Sequence, residues 1–209
     1  MIKFENTEVF NFNGAIRGMR NPLNSWVKSD SNYYDYGAYE IGPKDLDLMK
    51  RLIKAGSDHR KFMRQILVSV DITAPLYWWK EFDTYKVGTV SNSCSTMHRI
   101  QAKEFTINDF SYDHCEDDSI IENYINTTLW ILNGAREQFL QTKDKAFWWQ
   151  MIQLLPSSYN QKRTITLNYE TLYNIYGSRK NHKLDEWSVG FMEWIESLPY
   201  AEELIVNRD

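Results

Sequence analysis

Apolar and polar residues alternate over residues 66–73, the pattern of a β-strand with one buried face. The apolar positions are Ile66, Val68, Val70 and Ile72. The alternation ends at Ala74-Pro75, and proline suits the first turn of a helix because its φ is fixed and it has no N–H to leave unpaired. Apolar residues then recur at helical spacing at Leu76, Trp79 and Phe82. The pattern predicts a strand that passes directly into a helix.

Four other segments have the periodicity of amphipathic helices, namely residues 43–54, 117–140, 145–155 and 185–198. Pro43 marks the start of the first and Gly56 its end. In residues 117–140 the inward face is expected to hold Ile121, Tyr124, Ile125, Thr128, Leu129, Leu132 and Phe139. In residues 185–198 the inward face is expected to hold Trp187, Phe191 and either Trp194 or Ile195.

A second alternating run covers residues 163–169, and Asn168 is predicted to cap a following helix that Gly177 ends. Near the start of the chain, residues 1–12 suit an edge strand, residues 16–19 a short mixed piece and residues 29–42 a tyrosine-rich loop. Residues 87–96 are small and hydroxyl-rich, which is typical of a loop that closes around a polar ligand. Strand runs separated by helices predict one α+β domain over residues 1–209, with a sheet covered on one side.

Composition and charge exclude several classes of function for this protein. The net charge is −4 and no block of five like charges occurs, so a nucleic-acid or anionic-membrane surface is not expected. The chain has 2 cysteines, too few for a disulfide framework, and we find no signal peptide or long apolar run, which together indicate a cytoplasmic protein. Its 8 tryptophans suit a core or a subunit interface.

Two segments resemble the flavin-dependent thymidylate synthases. The first follows the family order of strand, Ala-Pro helix start, short basic segment and Ser/Asn-rich loop from residue 66 to residue 99. The second, residues 155–179, resembles the family's Leu-Pro segment, strand, Asn-initiated helix and terminal arginine without a gap. Its matching residues are Leu155, Pro156, Thr166, Asn168, Leu172, Asn174 and Arg179. Several matches at fixed spacing are a stronger signal than one short motif.

The resemblance implies an α+β fold of the thymidylate synthase-complementing protein type, with an antiparallel sheet packed with helices. It implies reductive methylation of dUMP to dTMP, or a related 5-substitution of a pyrimidine nucleotide. FAD would be the cofactor, with NADPH and a methylenetetrahydrofolate as co-substrates. The family is homotetrameric with sites shared between chains, so self-association is expected as well.

The family motifs also indicate site residues. Arg179 is the expected catalytic residue, because an arginine beside the pyrimidine donates two hydrogen bonds and stabilises negative charge on the ring. Substrate contacts are expected from Glu81, Asn92, Ser93, Cys94, Ser95 and Arg179. Cofactor contacts are expected from Tyr85, Lys86, Ser91, Asn174, His182 and His59.

Each of these side chains has a plainer alternative role. Arg179 could be an exposed charge at a helix C-terminus, and Glu81 and Asn174 could face solvent. His59 could belong to a solvated helix-capping turn. Cys94 could add to C6 of a uracil as a thiolate, or could be a small inert side chain.

The chain also departs from the family pattern. Thr84, Tyr85 and Lys86 replace an Arg-His-Arg triplet that holds flavin phosphates, Thr89 stands at the first serine, and Thr96 at the last arginine. A second phosphate-binding arginine falls on Ile152. Each lost charge-assisted hydrogen bond is worth about 1.5 to 3 kcal/mol. Backbone amides of residues 88–96 would have to compensate, or the ligand is not FAD in its usual pose.

The rival hypothesis is a non-catalytic binding or structural protein that keeps the fold without the cofactor. A metal site is not expected, because the local triplet Asp113-His114-Cys115 lacks ligand spacing and partners.

Overall fold

The computed structural model describes residues 2–34, 39–116 and 118–207. A sheet of four strands has the order β1-β4-β6-β5, with β1 at Lys3–Phe10, β4 at Leu67–Pro75, β5 at Val90–Ser93 and β6 at Asn160–Asn168. A separate antiparallel pair consists of β2, Asn32–Tyr33, and β3, Tyr39–Glu40. The four-stranded sheet is antiparallel and packs with helices, which confirms the predicted α+β class.

The helices are α1, Phe12–Arg20; α2, Pro43–Lys54; α3, Leu76–Phe82; α4, Ser119–Thr142; α5, Lys145–Leu154; α6, Tyr169–Arg179; and α7, Met192–Glu196. Short 3-10 helices lie at Asn21–Leu23, Trp26–Lys28, Arg60–Gln65 and Ile107–Asp109. Two π-helical segments lie at Glu186–Phe191 and Glu202–Val206. None of the helices in the described ranges is both long enough and apolar enough to cross a bilayer.

The predicted passage from strand to helix is confirmed. The apolar positions of β4 are buried, and Pro75 is the N-cap of α3. The predicted helix at Pro43–Lys54 is confirmed at both ends, with Gly56 just beyond it at φ +106°. Asn168 caps α6 as predicted, since its side chain accepts a hydrogen bond from the Thr171 amide at 2.9 Å.

Five local predictions are wrong. The mixed piece at residues 16–19 belongs to α1, in which Phe12, Ala15, Ile16 and Met19 are buried at helical spacing despite two glycines. Residues 87–96 contain β5, an exposed edge strand formed by backbone pairing with β6 and not by an apolar pattern. Residues 29–42 contain β2 and β3, and residues 35–38 lie outside the described residues.

The fourth wrong prediction is the end of α6. Gly177 does not end the helix, which continues to Arg179. A glycine inside a helix costs only about 1 kcal/mol, and burial of Ile175 and Tyr176 on the preceding turn outweighs that cost.

The fifth wrong prediction is the inward position of Tyr124 on α4. Tyr124 is 54% exposed and does not face inward, because Ile125, Leu132 and Ala135 form the buried stripe.

The described chain divides into two compact units, each built from separate stretches of sequence. Unit 1 comprises residues 1–3, 72–84 and 92–163, and one of its clusters is formed by Ile100, Phe105, Phe110, Leu132, Ala135 and Met151. Unit 2 comprises residues 4–71, 85–91 and 164–209, and its largest buried side chains include Phe12, Met49, Tyr169 and Trp187. The predicted site residues fall in both units.

Candidate functional site

Arg179, the last residue of α6 in unit 2, is half-buried beside two aromatic side chains. Its Nε donates a hydrogen bond to the Tyr85 hydroxyl at 2.8 Å. Its guanidinium carbon lies 4.9 Å from the ring centroid of Trp187 and 5.6 Å from that of Tyr85. A planar cation over aromatic rings is attracted to them and loses freedom of motion. Arg179 is therefore held in place, in contrast to an exposed charge at a helix C-terminus.

The segment that carries Tyr85 is fixed to the start of α6. Thr171 Oγ1 donates a hydrogen bond to the Val87 carbonyl at 3.2 Å. Gly88 has a φ of +72°, and a Cβ atom there would lie 2.5 Å from Asn168 Nδ2. Only glycine combines this backbone conformation with so close an approach. Residues 85–91 are thus anchored to α6 at both Tyr85 and Val87.

This segment also presents an unsatisfied hydroxyl. Within the described ranges, Thr89 Oγ1 is buried and has no hydrogen-bond partner. A buried hydroxyl left in this state costs about 1 to 3 kcal/mol, which a bound polar ligand would relieve. Lys86 and Ser91, both predicted cofactor contacts, are exposed on the same segment. A hydroxyl, an ammonium and an aromatic ring on one anchored loop fit a phosphate-bearing cofactor such as FAD.

Asn174, another predicted cofactor contact, belongs to an arginine cluster in unit 2. Arg60 Nη2 donates to Asn174 Oδ1 at 3.4 Å, and Arg60 Nε donates to the Glu170 carboxylate at 3.3 Å. Arg64 also pairs with Glu170, which is 8% exposed. The hydrogen bond that Arg64 donates to the Glu170 carboxylate raises the pKa of Arg64. Two guanidinium groups thus surround the Glu170 carboxylate beside Asn174, and the negative charge of Asp58 also acts on Arg64.

The two predicted histidines lie in different settings. His59 is exposed, and its side chain makes no cap hydrogen bond to the 3-10 helix that begins at Arg60. His182 is half-buried, its Nδ1 accepts a hydrogen bond from the Leu184 amide at 3.1 Å, and its ring lies 6.3 Å from that of Trp187. His182 therefore borders the same indole ring that supports Arg179.

Unit 1 contains a cavity of about 490 Å³ that two predicted substrate contacts, Cys94 and Ser95, help to line. The backbone of Cys94 is fixed to the adjacent strand, since its amide donates to the Lys162 carbonyl and its carbonyl accepts from Gln161 Nε2, both at 2.9 Å. The thiol side chain is exposed.

The cavity wall is cationic. Arg99, Lys103 and Lys162 line it together with one carboxylate, Asp109, which pairs with Lys103. Burial raises the pKa of Tyr159, which lies on the same wall. The arrangement suits an anionic ligand that also needs hydrogen bonds.

The other predicted substrate contacts are less enclosed. Asn92 and Ser93 are exposed residues of β5, and Glu81 is a half-buried residue near the end of α3. Among the residues the structure describes, no group of three or more His, Cys, Asp or Glu side chains is placed to hold a metal ion.

Sequence reasoning missed the cations at Arg60, Arg64, Arg99 and Lys162. Arg60 and Arg64 meet Glu170 across more than one hundred residues of chain, so no local pattern reports the pairing. The available signal was weak: two arginines four residues apart, just before a buried strand.

Comparison with known proteins gives a likeness in fold. No protein-family model matches the chain, and no curated protein matches it. A crystal structure of Thymidylate Synthase X (ThyX) from Helicobacter pylori with FAD and dUMP has a TM-score of 0.69 and 14% sequence identity, over 98% of this chain and 97% of that one. A second ThyX structure from Helicobacter pylori, complexed with FAD and dUMP, has a TM-score of 0.68 and 15% identity, over 97% of each chain. The chain therefore has the fold of these flavin-dependent thymidylate synthases.

Proposed function

We propose that this chain is a flavin-dependent thymidylate synthase-like enzyme that methylates dUMP to dTMP, or makes a related 5-substituted pyrimidine nucleotide. The observation that carries the proposal is the half-buried guanidinium of Arg179, held by Tyr85 and Trp187 at the position expected for the catalytic arginine. The fold supports it, since solved structures of that fold were determined with FAD and dUMP.

In this proposal Arg179 donates hydrogen bonds to the pyrimidine and stabilises negative charge that develops on it. Glu81 accepts from the uracil N3–H, and the loop from Asn92 to Ser95 contacts the nucleotide. Arg99 and Lys162 supply positive charge in the cavity beside Cys94, where the family arginine is replaced by Thr96. Cys94 is either a nucleophile toward C6 or a small lining residue, and replacement by serine separates the two roles.

The residues proposed to hold FAD are Tyr85, Lys86, Ser91, Asn174, His182 and His59. When bound, FAD would supply the reduced ring that delivers hydride, with NADPH as reductant and methylenetetrahydrofolate as one-carbon donor. The protein's own part is to hold the cofactor phosphates near Lys86 and the Arg60 cluster, and to present Thr89 Oγ1 to a polar atom of the ligand.

A non-catalytic binding or structural role is the second candidate, and one observation favours it. Ile152, at the position of a phosphate-binding arginine, packs against the core cluster of unit 1 and cannot contact a phosphate by charge. If the arginine cluster does not replace it, the cofactor site lacks charge.

One set of measurements decides between the two functions. We expect purified protein to absorb in the flavin bands, or to acquire that absorbance with added FAD, and to form dTMP from dUMP with NADPH and methylenetetrahydrofolate. We also expect it to support growth of a thymidine-requiring strain. Colourless protein that takes up no FAD and leaves the strain dependent on thymidine would establish the non-catalytic role.

We also propose that the enzyme self-associates through α4, as a homotetramer by the family resemblance. Ile120, Tyr124 and Trp130 are 75%, 54% and 77% exposed on one stripe of α4. Gly134 continues the stripe, and within the described ranges a Cβ atom there would meet nothing within 4 Å apart from its chain neighbours and the backbone of its own helix. Nothing described in this chain requires a glycine that costs a helix about 1 kcal/mol, which suits close approach by a helix of a second copy.

Replacing Trp130 with arginine tests this interface. We expect Trp130→Arg to lower the molar mass measured by light scattering to that of a smaller assembly, because a charge would be buried at the contact. Val27→Arg is the matched control, since Val27 is an apolar residue 94% exposed outside α4. An unchanged mass for Trp130→Arg, or an equal loss in the control, would contradict the proposal.

A further inference from the structure

A second cavity, in unit 2, is lined by none of the residues assigned above. It has a volume of about 640 Å³, within the range of small-molecule sites. Four cationic side chains line it, Arg20, Lys28, Lys44 and Arg51, together with one carboxylate, Asp47. The chain as a whole has a net charge of −4, whereas the side chains that line this cavity carry more positive than negative charge.

Arg20 is a rigid part of the cavity wall. It is 4% exposed, and its Nε donates to the buried carboxylate of Asp45 at 2.6 Å. Its other nitrogens donate to the Ser25 carbonyl and hydroxyl and to the Lys28 carbonyl, at 3.2 to 3.4 Å. These four hydrogen bonds hold the guanidinium of Arg20 in the cavity wall.

The excess charge belongs to two lysines. Asp45 neutralises Arg20 from within the protein, and Asp47 pairs with Arg51 at 2.9 Å on the surface of α2. Lys28 and Lys44 add two exposed ammonium groups to the wall. The start of α2 does not itself attract a ligand, because the Asp30 carboxylate already accepts from the Lys44 and Asp45 amides.

We propose that this cavity binds the phosphate group of a small molecule. A phosphate carries up to two negative charges and several acceptor oxygens, which matches two exposed ammonium groups, a fixed guanidinium and the Ser25 hydroxyl. A carboxylate would use fewer of these donors. The site is independent of the proposed thymidylate synthase activity, because none of its residues is assigned to the nucleotide or to FAD.

Titration with inorganic phosphate and with pyrophosphate tests the site. Binding is measured by calorimetry and by changes in amide chemical shifts, at a constant ionic strength set with sodium chloride. We expect saturable binding, with shifts at the amides of residues 25–28 and 43–51. The double variant Lys28→Gln/Lys44→Gln, which removes both of these ammonium groups, is expected to weaken binding at least tenfold, since each lost charged hydrogen bond is worth about this factor or more.

The matched control is Lys50→Gln/Lys54→Gln, which removes the same charge from exposed positions of α2. We expect it to bind phosphate as the unmodified protein does. Absence of saturable binding, or equal weakening in both double variants, would overturn the proposal. Binding of FAD and dUMP is expected to be the same in both variants. The phosphate titration therefore tests this cavity, whereas FAD and dUMP binding tests the proposed enzymatic function.

Discussion

Replacement of Arg179 by glutamine is expected to lower the rate of dTMP formation by about 10²- to 10³-fold, the usual effect of removing a donor that stabilises transition-state charge. The structure gives the reason for so large an effect. The guanidinium is held by the Tyr85 hydroxyl and by the Trp187 ring, so its position is set before a substrate arrives. Glutamine is shorter, has no charge, and cannot reproduce the planar pair of donors. Steady-state rates with dUMP, NADPH and methylenetetrahydrofolate measure the change.

Two companion variants give this prediction its control. Lys180→Gln removes the neighbouring positive charge, and because Lys180 is exposed we expect activity within a few-fold of the unmodified enzyme. Tyr85→Phe keeps the ring and removes the hydroxyl that accepts from Arg179 Nε, so a loss of about tenfold is expected. Equal rates in Arg179→Gln and Lys180→Gln would show that the guanidinium plays no part in the reaction. Thermal melts of all three establish that the losses do not reflect unfolding.

The elements of the fold differ in how far the local sequence could predict them. Strand β4, helix α2 and the Asn168 cap followed from local spacing, because an alternating run or a capping side chain acts within a few residues. Strand β5 did not, since its stability comes from pairing with β6 and its own residues are polar and exposed.

Ion pairs between residues that are far apart in the sequence also could not be predicted from local sequence patterns. Asp45 lies on the same face of α2 as the buried Met49 and Ile53, at a spacing of four residues, and its side chain is fully buried against Arg20. The indole ring of Trp187 beside Arg179 was predicted only as a core residue of its own helix. A buried charge becomes visible only when its partner is known, and here the partner is supplied by a different element.

Asp45→Asn is expected to destabilise the protein by roughly 3 to 5 kcal/mol, the usual cost of breaking a buried ion pair from one side. The carboxylate accepts hydrogen bonds from Arg20 Nε, from the hydroxyls of Ser29 and Ser31, and from the amides of Asp30 and Ser31. An asparagine of the same shape has one acceptor oxygen and no charge, so the buried guanidinium of Arg20 would be left without a counter-ion. Urea unfolding at pH 7 measures the loss.

The same pair gives stability a dependence on pH. Burial acts to raise the pKa of Asp45, but hydrogen bonds from Ser29, Ser31 and Arg20 outweigh it, so the pKa is lowered in the folded protein. A lowered pKa contributes stability that is present above the unfolded-state value of about 3.9. That contribution is lost as the pH falls through the folded-state pKa. The difference in free energy of unfolding between the unmodified protein and Asp45→Asn should therefore be largest near neutral pH and shrink below about pH 4.

Asp47→Asn provides the matched control for this prediction. Asp47 lies two residues away on α2, is 65% exposed, and pairs with Arg51 on the surface. Because an exposed ion pair contributes about 0 to 1 kcal/mol, its loss should change stability little and should not depend strongly on pH. If Asp45→Asn and Asp47→Asn unfold at the same urea concentration, the Arg20–Asp45 pair does not hold α1 to α2. If instead only Asp45→Asn is destabilised, the pair that fixes Arg20 in the wall of the unit 2 cavity is also the one that joins these two helices.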